Sequence, residues 1–308
     1  MMKKNMWSRW ILALAVVWPC MAAAHDRVRE KENFDFDWKF ILNADDRANA
    51  GMQVSETGWQ DVQLPHDWSI SLNFDPKLSG SNGHLPGGIG WYRKTFRVDK
   101  KDKGRRIAVL FDGIYSHSDV YVNGQHLGFR PYGFCYQEYD LTPYLNYGAE
   151  NVLAVRVNNP LEHDSVARWY TGAGIYRHAW LVKTAEVHVA SYGTYVTTPV
   201  VTAERAEVRV RTSVANEAER TKTLSVRQQI TDGEGRTVVQ SGKQALQVAA
   251  GQTADTEHTL EIPRPQMWDT EHPYLYTLHT TIYDGRKLVD TYETVFGVRT
   301  CEFTPDCG

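Results

Sequence analysis

Short runs of apolar and polar residues in alternation, separated by turn residues, dominate this sequence and restrict what it can fold into. Residues 91–98 (WYRKTFRV) and 151–157 (NVLAVRV) alternate, and residues 106–111 (RIAVLF) form a continuous apolar run. The run SDVYV at residues 118–122 precedes Asn-Gly, a dipeptide typical of tight β-hairpin turns. Apolar spacing with a helical period is almost absent. The sequence therefore predicts an all-β fold.

The second half of the chain has the same pattern but a different composition. Further strand-like runs lie at residues 207–213, 223–230, 256–262 and 276–283, with turn residues between them. Short strands at this spacing are typical of β-sandwiches. Near residues 184–192 the sequence changes from rich in Trp, Gly and Asn to rich in Thr, Val, Glu and Gln. We therefore predict two sandwiches in tandem, the second with the texture of an immunoglobulin-like domain.

The amino terminus has the three parts of a secretory signal peptide. A basic start (MMKKNMWSRW) precedes an apolar stretch (ILALAVVWPCM) and small residues that favour cleavage after Ala24. The apolar stretch is too short to span a bilayer. Lipid attachment at Cys20 is less favoured, because Trp18 and Pro19 are bulky where such sites need small residues. We expect a signal peptide at residues 1–24 and a secreted or periplasmic mature chain with no membrane contact.

Charge and cysteine content exclude several classes of partner. The 308 residues carry a net charge of −3, and the basic run at residues 100–106 is interpreted as a solvated turn, so no nucleic acid partner is expected. After removal of the signal, Cys135, Cys301 and Cys307 remain, with spacing that fits neither a disulfide framework nor a metal site. Pairing of Cys301 with Cys307 stays open. No cofactor or metal is predicted.

Motifs for catalysis are also missing from the sequence. It contains no nucleophile elbow, phosphate-binding loop or dinucleotide fingerprint. His163 and His178 lack metal-ligand spacing. A glycosidase needs two carboxylates about 5–9 Å apart, yet Glu162, Asp164 and Asp67 are the acidic residues that stand out, and each favours a turn-capping role. Other acidic residues are numerous, so the residues alone leave a carboxylate pair open, and we assign no catalytic residue.

Residues 168–181 (RWYTGAGIYRHAWL) crowd aromatic rings and glycines into a short segment. In one interpretation, Trp169 and Tyr170 present flat faces to the C–H faces of a sugar while Arg168 donates hydrogen bonds to its hydroxyls. In the other, the rings pack one sandwich against a neighbouring domain, and the glycines permit a tight turn beneath them. The two interpretations are compatible if a ligand binds at the interface between two domains. The long loop at residues 64–90 is also expected to carry function or an interface.

An ordered succession of sequence blocks resembles the amino-terminal part of the family two glycoside hydrolases, the group of β-galactosidases, β-glucuronidases and β-mannosidases. Within this group, the sequence most resembles the β-galactosidase-like members. The blocks are LPHDW (64–68), GIGWYRKTF (88–96), LFDGIYSHSDVYVNGQHLG (110–128), YDLTPYLNYGAENVLAVRVNN (139–159) and RWYTGAGIYRHAWLV (168–182). The last residues, VFGVRTCEFTPDCG (295–308), resemble the join between the immunoglobulin-like domain and the catalytic barrel.

The resemblance implies a layout for the whole chain. It implies a jelly-roll sugar-binding domain at residues 25–185, an immunoglobulin-like sandwich at 186–298, and the start of a catalytic (β/α)₈ barrel at 299–308. In the family both catalytic glutamates lie on that barrel, so this chain is expected to be inactive alone. The implied role is the non-catalytic part of an exo-β-glycosidase, most like a β-galactosidase. Its implied partners are a β-galactoside or related glycoside and the barrel, and a homo-oligomer is compatible with the resemblance.

The resemblance also suggests where carbohydrate binds. In the family an aspartate upstream of the Gly-Ile-Tyr-Arg run reaches the substrate, whereas here Arg168 takes that place and Asp164 lies at a different spacing. The expected carbohydrate-binding residues are Asp67, Trp68, Asp164, Arg168, Trp169 and Tyr170. Two other functions stay open: a stand-alone carbohydrate-binding module without hydrolytic activity, and an interaction or scaffold protein.

Overall fold

The protein is built from antiparallel β-strands, which confirms the predicted all-β class. The structure is a computed structural model that describes residues 28–42, 45–80, 83–160, 169–302, 304 and 305. The predicted signal peptide, the candidate site residues Asp164 and Arg168, and Cys307 lie outside the described residues, so those predictions remain untested.

The first sandwich follows directly from the alternating runs. Strands β5 and β6 have the bounds that the apolar pattern predicts, and 3₁₀ turns at Arg47–Ala50, Ser69–Ser71, Lys100–Asp102 and Thr142–Tyr144 connect some of the strands. The strands are β1 (Glu30–Asn33), β2 (Trp38–Leu42), β3 (Gln60–Val62), β4 (Gly88–Arg97), β5 (Arg106–Phe111), β6 (Ser118–Val122), β7 (Gln125–Arg130), β8 (Gln137–Asp140), β9 (Glu150–Asn159) and β10 (Ala179–Thr184).

These strands form two sheets in which, as in a jelly roll, strands that are distant in the sequence pair with each other. A 6-stranded sheet has the order β3-β2-β4-β9-β6-β7, and a 4-stranded sheet has the order β1-β10-β5-β8. The core between them is rich in large rings, including Trp38, Trp68, Tyr92 and Phe111. Burial of each such side chain contributes roughly 1.5–3 kcal/mol relative to exposure. Part of the aromatic content of the sequence therefore stabilises this core.

The second sandwich has longer and more regular strands than the first, and it is the immunoglobulin-like sandwich that the composition suggested. Its sheets have the orders β11-β12-β16 and β14-β13-β17-β18, and β15 also pairs with β13. Every second residue of β12 is buried, as expected for a strand with one face on the core. The strands are β11 (Val187–Val201), β12 (Arg205–Asn216), β13 (Lys222–Thr231), β14 (Thr237–Gln240), β15 (Gln244–Val248), β16 (Gln252–Pro263), β17 (Tyr276–Asp284) and β18 (Lys287–Phe296).

Polar contacts join the two sandwiches at the point where β10 passes into β11. Arg106 of β5 forms an ion pair with Glu217 at 2.8 Å. His188 of β11 is buried beside this pair, and its Nδ1 lies 3.1 Å from the carbonyl oxygen of Ala185. The sandwiches therefore meet through a partly buried ion pair as well as through the short covalent link.

Candidate carbohydrate-binding site

A cleft of about 520 Å³ lies where the 64–90 loop meets the aromatic segment that follows residue 168. The structure brings together three of the predicted site residues there, namely Asp67, Trp169 and Tyr170. Phe134, Tyr176 and Ile70 complete much of its apolar wall. Two segments far apart in the sequence thus build one concave surface, as ligand sites commonly require.

Asp67 holds the two segments together. Its Oδ1 accepts hydrogen bonds from the backbone N–H groups of Ser69 and Ala173, both at 3.0 Å. Its Oδ2 accepts a 2.6 Å hydrogen bond from the hydroxyl of Tyr170. Burial raises the pKa of Tyr170, and the Asp67 carboxylate raises it further, so the phenol remains a donor. The carboxylate is therefore fixed in position on the cleft wall.

Backbone geometry explains why glycines occur in this segment. The N–H of His66 donates to the carbonyl of Ile175 at 2.8 Å, and the N–H of Trp68 donates to the carbonyl of Ala173 at 3.1 Å. Between these bonds, Gly174 has a φ of +121°, and a Cβ there would lie 2.7 Å from the His66 carbonyl oxygen. A side chain at this position is excluded both by the backbone angle and by the loop that lies against it.

The prediction that Trp68 binds carbohydrate does not agree with its position in the structure. The structure places its indole in the core, with 1% of the residue exposed. The ring stacks on Phe40 with centroids 5.5 Å apart, and it lies 6.4 Å from the ring of Tyr92. Trp68 therefore supports the loop from beneath and offers no face to a ligand. An interior tryptophan and a surface tryptophan look the same in a linear sequence, which is why the prediction failed.

The ring faces that are open to water lie on Trp169, which is 59% exposed, and on Tyr170, which is 38% exposed. The Phe134 ring stands 6.4 Å from that of Trp169 and extends the aromatic wall. Sequence reasoning missed Phe134, although the segment PYGFCY (131–136) carries an aromatic residue at every second position. In an extended segment, this alternate spacing places the rings on one side, and it could have indicated the exposed ring of Phe134.

The described residues that line the cleft carry one fixed negative charge. Among its described lining residues, Asp67 is the only carboxylate, and there is no lysine or arginine. Burial lowers the pKa of His66, so its imidazole is neutral at pH 7, and its Nδ1 lies 2.8 Å from the hydroxyl oxygen of Tyr92. Such a surface can stack on the apolar face of a sugar and accept hydrogen bonds from its hydroxyls. Its described lining residues hold one carboxylate, whereas glycoside hydrolysis commonly uses two.

Other site types are not found in the part of the chain that the structure covers. None of its groups of His, Cys, Asp and Glu side chains is placed to hold a metal ion. None of its helices has the length and apolar character needed to cross a membrane. Cys135 is half-buried and Cys301 is exposed, and whether Cys301 pairs with Cys307 remains open.

Comparison with known proteins identifies the family. Residues 32–185 match the sugar-binding domain model of glycosyl hydrolases family 2, and residues 187–299 match a second model of the same family. The chain belongs to glycosyl hydrolase family 2. The two matched regions correspond to the two sandwiches, and the cleft lies on the sandwich that matches the sugar-binding model.

Relatives within family 2 carry two activities in their names. The β-galactosidase BoGH2A of Bacteroides ovatus is 41% identical over 91% of this chain, and a β-glucuronidase of Formosa agariphila is 33% identical over 91% of it. A family 2 member from Bacteroides cellulosilyticus is similar in structure, with a TM-score of 0.82 and 36% identity over 90% of this chain and 36% of its own.

The chain spans about a third of the length of these curated relatives, 33% of the β-galactosidase and 30% of the β-glucuronidase. It corresponds to an amino-terminal part of family 2 glycosidases of these two kinds, which the resemblance in the sequence had implied.

Proposed function

We propose that this chain is the sugar-binding part of an exo-acting family 2 β-glycosidase whose substrate ends in a β-linked galactose. The observation that carries the proposal is the cleft, in which Trp169 and Tyr170 expose ring faces beside the fixed carboxylate of Asp67. Exposed aromatic faces next to a rigid hydrogen-bond acceptor suit a sugar ring, which has apolar C–H faces and a rim of hydroxyl donors.

The charge of the cleft favours a neutral sugar over a uronic acid. A uronate carboxylate placed near Asp67 would meet a like charge at short range. This argument favours the galactosidase relatives over the glucuronidase relatives. The higher identity to the Bacteroides ovatus β-galactosidase supports the same choice.

Bond cleavage is assigned to polypeptide other than these two sandwiches. The described residues contain no (β/α)₈ barrel, and the family resemblance puts both catalytic glutamates on that domain. The proposed partners of the chain are therefore a terminal galactoside and a catalytic barrel, supplied by the same gene product or by another chain. The chain alone is expected to bind sugar without hydrolysing it.

Two measurements test the proposal on the purified 308-residue chain. Hydrolysis of nitrophenyl β-galactoside and β-glucuronide should be undetectable, and turnover by contaminant-free protein would overturn the assignment of cleavage to another domain. Galactose should perturb tryptophan fluorescence or protein NMR signals more strongly than glucuronic acid at equal concentration. Trp169→Ala should remove this response, whereas Tyr144→Ala, which deletes an exposed ring outside the cleft, should retain it.

A stand-alone carbohydrate-binding module is the second candidate function. It is favoured by the exposure of Trp169 and Tyr170 in the chain without any further domain. A millimolar or tighter dissociation constant for the isolated chain, unchanged when a family 2 catalytic domain is added, would favour this candidate. Tightening of sugar binding by the added domain would favour the enzyme part.

We further propose that the mature chain acts outside the cytoplasm, because residues 1–24 have the pattern of a signal peptide. Cell fractionation followed by amino-terminal sequencing tests this, with His25 expected as the first residue. A homo-oligomer is compatible with the family resemblance, and sedimentation of the mature chain would measure it.

A further inference from the structure

A row of aromatic rings leads away from the cleft along the segment that connects β7 to β8. Tyr132, Phe134 and Tyr136 are 61%, 44% and 46% exposed, while Gly133 between the first two is buried. The rings of Tyr132 and Phe134 lie 5.7 Å apart at an angle of 69°. Three large rings that face water at alternate positions of one loop are unusual for a soluble surface. We call this set the aromatic row.

Contacts beneath the row hold its backbone in place. A Cβ on Gly133 would lie 3.0 Å from Cγ of Tyr115, so the ring of Tyr115 fits against bare backbone. The Tyr115 ring also contacts Phe134, with centroids 5.2 Å apart. The hydroxyl of Tyr176, a residue of the cleft wall, donates to the Gly133 carbonyl at 2.8 Å. The rings are therefore presented by a fixed backbone, which reduces the entropy lost when a ligand orders them.

The middle ring of the row, Phe134, lines the cleft, and its last ring, Tyr136, meets the second sandwich. Phe134 approaches Trp169 of the cleft, and Tyr136 contacts Tyr192 of β11 with ring centroids 4.6 Å apart. Tyr192 is itself 55% exposed. Its hydroxyl donates to Oδ1 of Asp112 at 3.2 Å, and Oδ2 of Asp112 accepts from the indole N–H of Trp180 at 2.9 Å. The far end is thus an aromatic pair beside a held carboxylate.

We propose that the aromatic row is a binding track for the further units of a β-linked neutral oligosaccharide whose terminal sugar occupies the cleft. The proposal rests on the proposed function of the cleft and extends it from one sugar to a chain. Exposed rings can pack on the apolar C–H faces of sugar rings, and Asp67 and Asp112 supply fixed hydrogen-bond acceptors in the cleft and beside Tyr192. The continuity of the row with the cleft favours a saccharide over a second protein copy as its occupant.

Calorimetric titration of the full chain tests the track. The probes are neutral β-linked galacto-oligosaccharides of two to six units, together with galactose, and gluco-, xylo- and manno-oligosaccharides serve as comparisons without a terminal galactose. For the galacto-oligosaccharides, affinity should rise about tenfold or more between galactose and the longer oligomers. Tyr132→Ala and Tyr136→Ala should remove most of that increase and leave the monosaccharide affinity unchanged, whereas Trp169→Ala should weaken both.

Tyr144→Ala is the matched control, because it deletes an exposed tyrosine beyond the opposite end of β8 from Tyr136. Saccharide binding that is independent of chain length, or insensitive to Tyr132→Ala and Tyr136→Ala, overturns the track and leaves the cleft standing. No binding by any probe overturns both proposals. Loss of self-association in the two variants, with saccharide affinity unchanged, would show an interface between copies and overturn the track.

Discussion

Arg29 and Asp290 form a two-pronged ion pair across 261 positions of sequence, with Nε donating to Oδ1 at 3.0 Å and Nη2 to Oδ2 at 2.8 Å. Asp290 is fully buried and accepts a further hydrogen bond from the backbone N–H of Val189 at 2.7 Å. The guanidinium also lies 4.8 Å above the ring of Tyr292. The residue just before β1 of the first sandwich is therefore anchored inside the second.

Arg29→Ala should lower the free energy of unfolding of the second sandwich by about 3–5 kcal/mol, because it leaves the buried Asp290 carboxylate without its counter-ion. Thermal unfolding followed by near-ultraviolet circular dichroism measures the loss. Arg205→Ala is the control, since it breaks an exposed ion pair with Glu261 and should have an effect below about 1 kcal/mol. Equal effects of the two substitutions would contradict this role for Arg29.

Gly174→Ala should destabilise the first sandwich by more than about 3 kcal/mol, since it combines an unfavourable backbone angle with a collision at the His66 carbonyl. Gly235→Ala provides a comparison, because Gly235 has a φ of +79° but no atom within 4 Å of the added Cβ. It should cost about 1–2 kcal/mol from the backbone angle alone. Urea unfolding of both variants tests the difference, and a mild effect at Gly174 would show that the loop can move aside.

Acid should destabilise the junction through His188. Burial, followed by the charges of Arg106 and Arg29, lowers the pKa of His188 from 6.5 to about 3. Between these values the unfolded chain binds a proton that the folded chain excludes, so this contribution to stability is complete above pH 6.5 and is lost as the pH falls toward 3. The loss is about 1.4 kcal/mol for each pH unit within the window.

His188→Asn should therefore flatten the decline of stability between pH 6.5 and pH 4, measured by urea unfolding at successive pH values. His272→Asn, at an exposed position, should decline as steeply as the wild-type chain. If the His188 variant also declines as steeply, other groups govern the acid sensitivity.

The isolated chain should bind a hydrophobic dye at the cleft and the aromatic row, where Trp169, Phe134 and Ile70 are exposed. Trp169→Ala and Phe134→Ala should each reduce the fluorescence of bound anilinonaphthalene sulfonate by about half. The free energy of unfolding should change by less than about 1 kcal/mol in Trp169→Ala, because that side chain is 59% exposed. Tyr144→Ala should leave the dye signal unchanged. Dye binding no greater than that of a well-covered globular protein would contradict the exposed apolar surface.

Strand positions were predictable where a continuous or alternating apolar run forms the core contact. Strands β5 and β6 begin and end at the predicted residues, because their buried faces are apolar in the sequence. Strand β1 has the sequence EKEN and was not predicted. It is held by backbone pairing with β10 and by ion pairs such as that of Arg105 with Glu30, neither of which a local apolar pattern reveals.

The candidate site was predictable only in part, for a related reason. Asp67, Trp169 and Tyr170 were found from the family resemblance and from the density of rings. Burial of Trp68 and exposure of Phe134 depend on which side of the loop each ring faces, and that is decided by partners such as Phe40 and Tyr115 on other elements. Sequence shows which aromatic residues are present, and tertiary packing decides which of them remain open.

The pairing of β1 with β10 sets an order for folding as the polypeptide emerges. The 4-stranded sheet joins the first strand of its domain to the last, so it cannot close until Thr184 is available. Neighbouring strands of the second sandwich, such as β17 and β18, are joined by a short hairpin and can pair as soon as they appear. During vectorial synthesis, the ring-rich domain therefore stays open longest and has the greatest need of protection from aggregation.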